Sequence, residues 1–91
     1  MTDAIEDWPW ELKGVPPIET KISGDGQQRV RFCRRPEGTV QFFSQKLTRC
    51  ETDGQEYFVW YHSPISGHYS TLEDAEKDAT KIVPWLRPLD F

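Results

Sequence analysis

From residue 28 onward, apolar and polar positions alternate in three runs, Arg29–Arg35, Thr39–Arg49 and Gln55–His62. A period of two is that of a half-buried β-strand. Pro36-Glu37-Gly38 separates the first two runs and Thr52-Asp53-Gly54-Gln55 the second pair. The Asp-Gly pair suits a two-residue hairpin turn because glycine accepts φ > 0, so both reversals predict antiparallel neighbours. After the turn-rich segment Ser63-Pro64-Ile65-Ser66-Gly67, the period lengthens. Leu72, Ala75, Ala79, Ile82 and Val83 recur at the spacing of one helix face, with Leu86 extending the stripe. The pattern predicts an α+β fold over 28–83: a three-stranded antiparallel sheet packed on one C-terminal helix, in β-β-β-α order.

The helix is marked at both ends. Ser70 or Thr71 can accept from an orphan backbone N–H, and Ser70-x-x-Glu73 has the spacing of a capping box. Pro84 biases Val83 away from helical angles and ends the regular helix there. Residues 84–91 then form an irregular tail whose apolar side chains are expected to dock.

Alternation divides the sheet into two faces. Val30, Phe32, Val40, Phe42, Tyr57, Val59 and Tyr61 fall on one, which matches the helix stripe and is the expected core. Arg29, Arg31, Cys33, Arg35, Gln41, Phe43, Gln45, Leu47, Arg49, Phe58, Trp60 and His62 fall on the other. That mixture of arginine and aromatic side chains is too apolar for an ordinary solvated surface, so a cover is expected. The adjacent Phe42 and Phe43 permit a bulge that would exchange the faces along half of the second strand.

Residues 1–27 carry no sustained periodicity; Pro9, Gly14, Pro16, Pro17, Gly24 and Gly26 interrupt every run. They read as an extended N-terminal arm, with Thr20-Lys21-Ile22-Ser23 able to add a short edge strand. Trp8, Trp10 and Leu12 concentrate apolar surface in this arm. Side chains of that size either pin the arm across its own domain or anchor it on a partner.

Composition bounds the function. Ninety-one residues, 36% hydrophobic and 29% charged, support one domain with a modest core. The longest apolar runs fall far short of a membrane span, and the acidic start Met1–Asp7 does not resemble a secretory signal, so a soluble cytoplasmic protein is expected. The net charge of −4 hides three blocks: −4 over 1–27, +5 over 28–50 and −5 over 51–91. A basic centre between acidic ends either binds an anionic partner or satisfies the ends of its own chain.

Motifs of catalysis and metal binding are missing. Cys33, Cys50, His62 and His68 are dispersed rather than grouped in the close pairs of a zinc site, and strand geometry places the two cysteines too far apart for a disulfide. Ser63, Ser66 and Ser70 lack a nucleophile-elbow sequence, and no phosphate-binding glycine loop is present. No catalytic residue, metal or cofactor is assigned. The expected role is a non-catalytic binding module, a small regulatory, adaptor or inhibitor protein. It would engage a protein partner through the sheet face (Arg29, Arg31, Arg35, Phe43, Gln45, Arg49, Trp60) or through the acidic arm and helix, with Trp8, Trp10 and Leu12 either anchoring or self-packing.

In outline, a basic, aromatic-bearing three-stranded sheet backed by a helix resembles the AP2-type and integrase arm-type DNA-binding domains, over residues 28–83. Tyr69-Ser70-Thr71-Leu72-Glu73-Asp74-Ala75 is similar to the lead into their helix. The resemblance implies that the sheet lies in a major groove, with Arg29, Arg31, Arg35, Gln41, Gln45, Arg49 and Trp60 facing the nucleic acid. Against it stand Glu51, Asp53 and Glu56 around the last hairpin and the acidic total, where phosphate binders are basic. DNA binding is therefore the second expectation, and an enzyme of unrecognised class the third.

Overall fold

The computed structural model describes residues 4–86. Three long strands form where alternation places them: β3 (Gln28–Arg34), β4 (Val40–Thr52) and β5 (Gln55–His62). Asp53 and Gly54 close the β4–β5 hairpin at φ 50° and 77°, the paired positive angles of a turn that follows strand twist. The three-strand expectation nevertheless gives way to five. The arm supplies both edges, β1 (Ile5–Glu6) and β2 (Pro17–Ile22), and the order across the sheet is β1-β5-β4-β3-β2.

The sheet is also mixed rather than wholly antiparallel, because β1 runs parallel to β5, with Ile5 beside Val59 and Glu6 beside Trp60. Two residues are too few to show a period, which is why β1 leaves no trace in the pattern. β2 pairs antiparallel with β3 and carries a bulge between Pro17 and Glu19, so its apolar spacing is broken. The bulge expected as an option at Phe42 and Phe43 does not occur there. Phe32 opposes Phe42 and Arg31 opposes Phe43 in an uninterrupted register.

Helix α1 (Leu72–Ile82) lies on the face holding Val30, Phe32, Val40 and Phe42. Its cap is Thr71, whose hydroxyl accepts from the Asp74 amide at 3.1 Å, one residue later than the Ser70 box would place it. Ala75 and Ala79 are fully buried against this core, and their small side chains let the helix approach closely. Ile82, expected on the stripe, is exposed, because the buried arc turns toward Leu72 and Val83. Val83 takes extended angles before Pro84, and Pro84–Leu86 forms a 3-10 turn whose Trp85 and Leu86 pack on the helix-side core. The rest of the expected tail lies outside the described residues.

The helix covers only part of its face. Val59 is buried, but Tyr61, also expected in the core, is exposed; the core under the helix is built from β3 and the start of β4. The opposite face has its own cover, drawn from the arm. Leu12 packs there on Cys33 and Phe43, with Trp8, Val15 and Ile65 around them. Among the described residues, no helix is long and apolar enough to cross a membrane.

Candidate functional site

The arginine face centres on Gln45. In the registers of β4, Gln45 opposes Arg29 on one side and His62 on the other, so three polar side chains share one row of the sheet. Alternation adds Arg31 two residues along β3. Glu6 then arrives from β1, on the same face as its neighbour Trp60.

The result is a closed polar network. Gln45, only 2% exposed, accepts through Oε1 from Arg29 Nε at 2.7 Å and Arg31 Nε at 3.2 Å. Its Nε2 donates to Glu6 Oε2 at 3.1 Å. Glu6 Oε1 accepts from both guanidinium groups, from Arg29 Nη2 and from Arg31 Nη2, the latter at 3.0 Å. Arg31 Nη1 also donates to Thr20 Oγ1 of β2 at 3.2 Å. The Glu6 carboxylate thus ties the edge strand β1 to the centre, and Arg31 ties in the other edge through Thr20.

Aromatic rings close the network above. The Arg29 guanidinium lies 4.0 Å from the Trp60 ring centroid and that of Arg31 5.4 Å from Trp8. Trp8 in turn meets Phe43 edge to face at 5.0 Å. Arginine suits such sites because its planar cation stacks on a ring while its edge still donates to an acid.

Electrostatics follow from this geometry. Partial burial raises the Glu6 pKa, but hydrogen bonds from Arg29 and Gln45 and the charges of Arg29 and Arg31 outweigh it, holding Glu6 below the ordinary value of 4.5. Burial lowers the Arg29 pKa and the Arg31 charge adds to that, opposed by the Glu6 bond. Removing the carboxylate would leave two close cations facing each other over a buried amide.

Arg35 and Arg49 are paired too. Arg35 Nη1 donates to Gln41 Oε1 at 3.0 Å and to the Glu11 carbonyl at 3.1 Å, and its Nε reaches Glu37 at 3.2 Å. Arg49 stands apart on the overhanging β4–β5 hairpin, where it bonds Glu56 at 2.8 Å in solvent. The structure therefore joins Arg29, Arg31, Gln45, Trp60 and Trp8 in one cluster, with Phe43 beneath Trp8 and Leu12. Arg35 is tied to the arm at one margin, and Arg49 does not belong. Glu6, the residue both arginines hold, was not singled out from the sequence. An acid in an acidic, aperiodic stretch gives no signal of its own.

Within the arm, the three apolar residues separate. Pro9 and Leu12 are buried, Trp8 is half-buried, and Trp10 stands 77% exposed on the 3-10 turn Trp10–Leu12. The turn is fixed by Leu12 N–H donating to the Pro9 carbonyl at 3.0 Å and Trp8 Nε1–H donating to the Leu12 carbonyl at 2.7 Å. Lys13 Nζ lies 5.2 Å from the Trp10 ring. Beside this turn runs an open groove of about 420 Å3, lined by Trp8, Lys13, Gly14, Val15, Pro16 and Pro17.

Lys13 is the one ionisable side chain lining the groove, so no acid-base pair faces it. Among the described residues, no cluster of three or more His, Cys, Asp or Glu side chains could hold a metal. Half-buried His62 faces Asp7 at 3.7 Å, and exposed His68 shares a hydrogen bond through Nδ1 with Thr39 Oγ1 at 2.9 Å beside Glu37. Comparison with protein-family models, with curated proteins and with solved structures found no match for this chain.

Proposed function

We propose that this protein is a non-catalytic protein-binding module and that it docks its partner through the Trp10 turn. The observation that supports this reading is the exposure of Trp10 on a turn that is itself pinned by buried neighbours. A large indole held in water on a rigid base is the arrangement of an interface anchor, since it adds apolar contact at little cost in ordering. The groove from Trp8 to Pro17 accepts the partner side chains that flank the indole. The acidic block over 1–27 favours a partner with a basic surface around an apolar pocket.

The arginine face is the weaker candidate. Arg29 and Arg31 already hold Glu6 and lie against Trp60 and Trp8, so DNA or a protein acid reaches them only after Glu6 and Trp8 of the arm are displaced. The test is site-specific photocrosslinking in the native host. A photoreactive residue at position 10 should capture a discrete protein that one at Lys77, on the solvent face of α1, does not. Trp10→Ala should weaken binding of that protein by roughly 30-fold, as an anchor worth about 2 kcal/mol would, with the urea midpoint unchanged. Capture at both positions, or affinity unaltered by Trp10→Ala, would reject the Trp10 site.

A further inference from the structure

The free edge of β2 carries a second, independent surface. β2 is the last strand of the sheet, and its register with β3 pairs Thr20 with Arg31, Lys21 with Val30 and Ile22 with Arg29. Ser23 N–H donates to the Gln28 carbonyl at 2.8 Å, so the 23–28 pair is a hydrogen-bonded one. In an antiparallel ladder such pairs alternate, which makes Lys21–Val30 the next bonded pair and turns the backbone N–H and C=O of Thr20 and Ile22 outward. Those groups face solvent beside two exposed isoleucines, Ile18 and Ile22. Edges with unpaired backbone and apolar side chains are ordinarily blunted or covered. Here Pro17, which lacks an N–H, and the bulge after it blunt one end, while Glu19 and Lys21 place one charge of each sign along the rest.

The order Ile18-Glu19-Thr20-Lys21-Ile22 is complementary to itself when reversed. We infer that β2 pairs antiparallel with β2 of a second copy of this chain about a two-fold axis at Thr20, joining two five-stranded sheets into one. In that register Thr20 faces Thr20′ as a hydrogen-bonded pair, using the outward backbone groups. Glu19 faces Lys21′ and Lys21 faces Glu19′, opposite charges at the closer, non-bonded positions. Ile18 comes alongside Ile22′ at each end. A shift to an axis at Lys21 would set Lys21 against Lys21′, so charge selects the Thr20 register. Lys21 also reaches Glu76 of α1 at 3.5 Å, which holds its side chain near the edge. A symmetric contact of this kind closes after two copies, because the edge it uses is then consumed.

Five residues of pairing make a small interface, so a Kd between about 1 μM and 1 mM is expected, read by sedimentation equilibrium up to about 1 mM protein. Four variants test the register. Thr20→Pro removes an N–H that points outward in the monomer together with the hydroxyl that accepts from Arg31, so it is read against Thr20→Val, which loses the hydroxyl alone; Thr20→Pro should abolish dimerisation and Thr20→Val should not, with the far-UV circular dichroism of the two monomers in agreement. Glu19→Lys and Lys21→Glu place like charges opposite each other in a homodimer, and each alone should be monomeric. Mixed in equal amounts they restore both opposite-charge pairs and should form a heterodimer. A chain monomeric at about 1 mM, a dimer indifferent to Thr20→Pro, or charge variants that fail to complement each other would overturn the proposal. The surface is distinct from Trp10, so Trp10→Ala should leave self-association unaltered.

Discussion

Replacing Leu12 by alanine should cost this protein a large part of its stability, although the residue lies in a stretch with no periodicity. Leu12 is fully buried against Cys33 and Phe43, with Trp8, Val15 and Ile65 around it. Truncating a leucine in such a site removes its transfer free energy and leaves a cavity, together about 2–5 kcal/mol. The surface turn that carries Leu12 can relax more readily than a central strand, so about 3 kcal/mol is the expected loss. In a domain of this size 1 kcal/mol shifts Tm by roughly 4–8 °C, which places the drop at roughly 12–24 °C. The measurement is urea unfolding followed by far-UV circular dichroism, which does not depend on the nearby tryptophans. Trp10→Ala is the internal control: two residues away on the same turn and exposed, it should change stability by less than about 0.5 kcal/mol. A loss below about 1 kcal/mol for Leu12→Ala would refute the reasoning, since it would mean that the arm does not cover the arginine face in solution.

Three further outcomes follow from the same packing. Glu6 titrates below 4.5 in the folded protein, so its contribution is complete above that pH and disappears as pH falls through the lower folded value; the stability gap between wild type and Glu6→Gln should therefore be widest near neutrality and close below pH 4.5, and a pH-independent gap would contradict the arginine clamp. Burial pushes the Cys33 thiol up to about 11, against the opposing Arg31 charge, while Cys50 is half-buried and neither is in a disulfide. At pH 8 a thiol reagent should modify Cys50 first and Cys33 only as the chain unfolds; two equally fast thiols would show the second core to be open. Mixed-sequence duplex DNA should not bind at about 0.15 M salt by fluorescence anisotropy, because within a Debye length of about 8 Å the arginines meet their own acids first; micromolar binding with a steep salt slope would restore the nucleic-acid reading.

Legibility in the sequence tracked how far each residue's environment is local. The strands from Gln28 to His62 and helix α1 were readable because one buried face imposes a period on every second or every third to fourth residue. Of the two edges, β1 was not readable, and β2 was readable only in its second half, as the short edge strand expected at Thr20-Lys21-Ile22-Ser23. β1 borrows its pairing from β5 and has no length in which to show a pattern, and in β2 the bulge after Pro17 breaks the alternation that Thr20-Lys21-Ile22 alone suggests. The division of faces was readable, down to the placing of Arg29, Arg31, Gln45 and Phe43 together, but what covers them was only expected as a cover without an identity. Trp8, Trp10 and Leu12 look alike in composition. Their separation into half-buried, exposed and buried depends on a 3-10 turn whose Pro9 and Leu12 point to the sheet, a long-range fact that no local period encodes.

The charge blocks take on a different meaning once the partners are known. Four arginines of the sheet face each find a carboxylate within the chain: Arg29 and Arg31 share Glu6, Arg35 takes Glu37, and Arg49 takes Glu56. Glu6 itself is exposed, but its two arginines are largely buried, with side chains 12% and 16% exposed, so of these pairs the Glu6 ones should matter most for stability, the exposed Arg49 pair being worth little. Their importance lies in what they leave over. Four of the six cations of the central block are held by the chain's own acids, while Arg34 and Lys46 are exposed, as are Glu73 and Asp74 on the helix and Glu11 on the Trp10 turn. Beside Trp10 itself the exposed Glu11 is balanced by Lys13, whose Nζ lies 5.2 Å from the indole ring. On the proposed reading a basic partner would be drawn by the acidic blocks over 1–27 and 51–91 rather than by the immediate surroundings of the indole, an attraction that should weaken as salt rises.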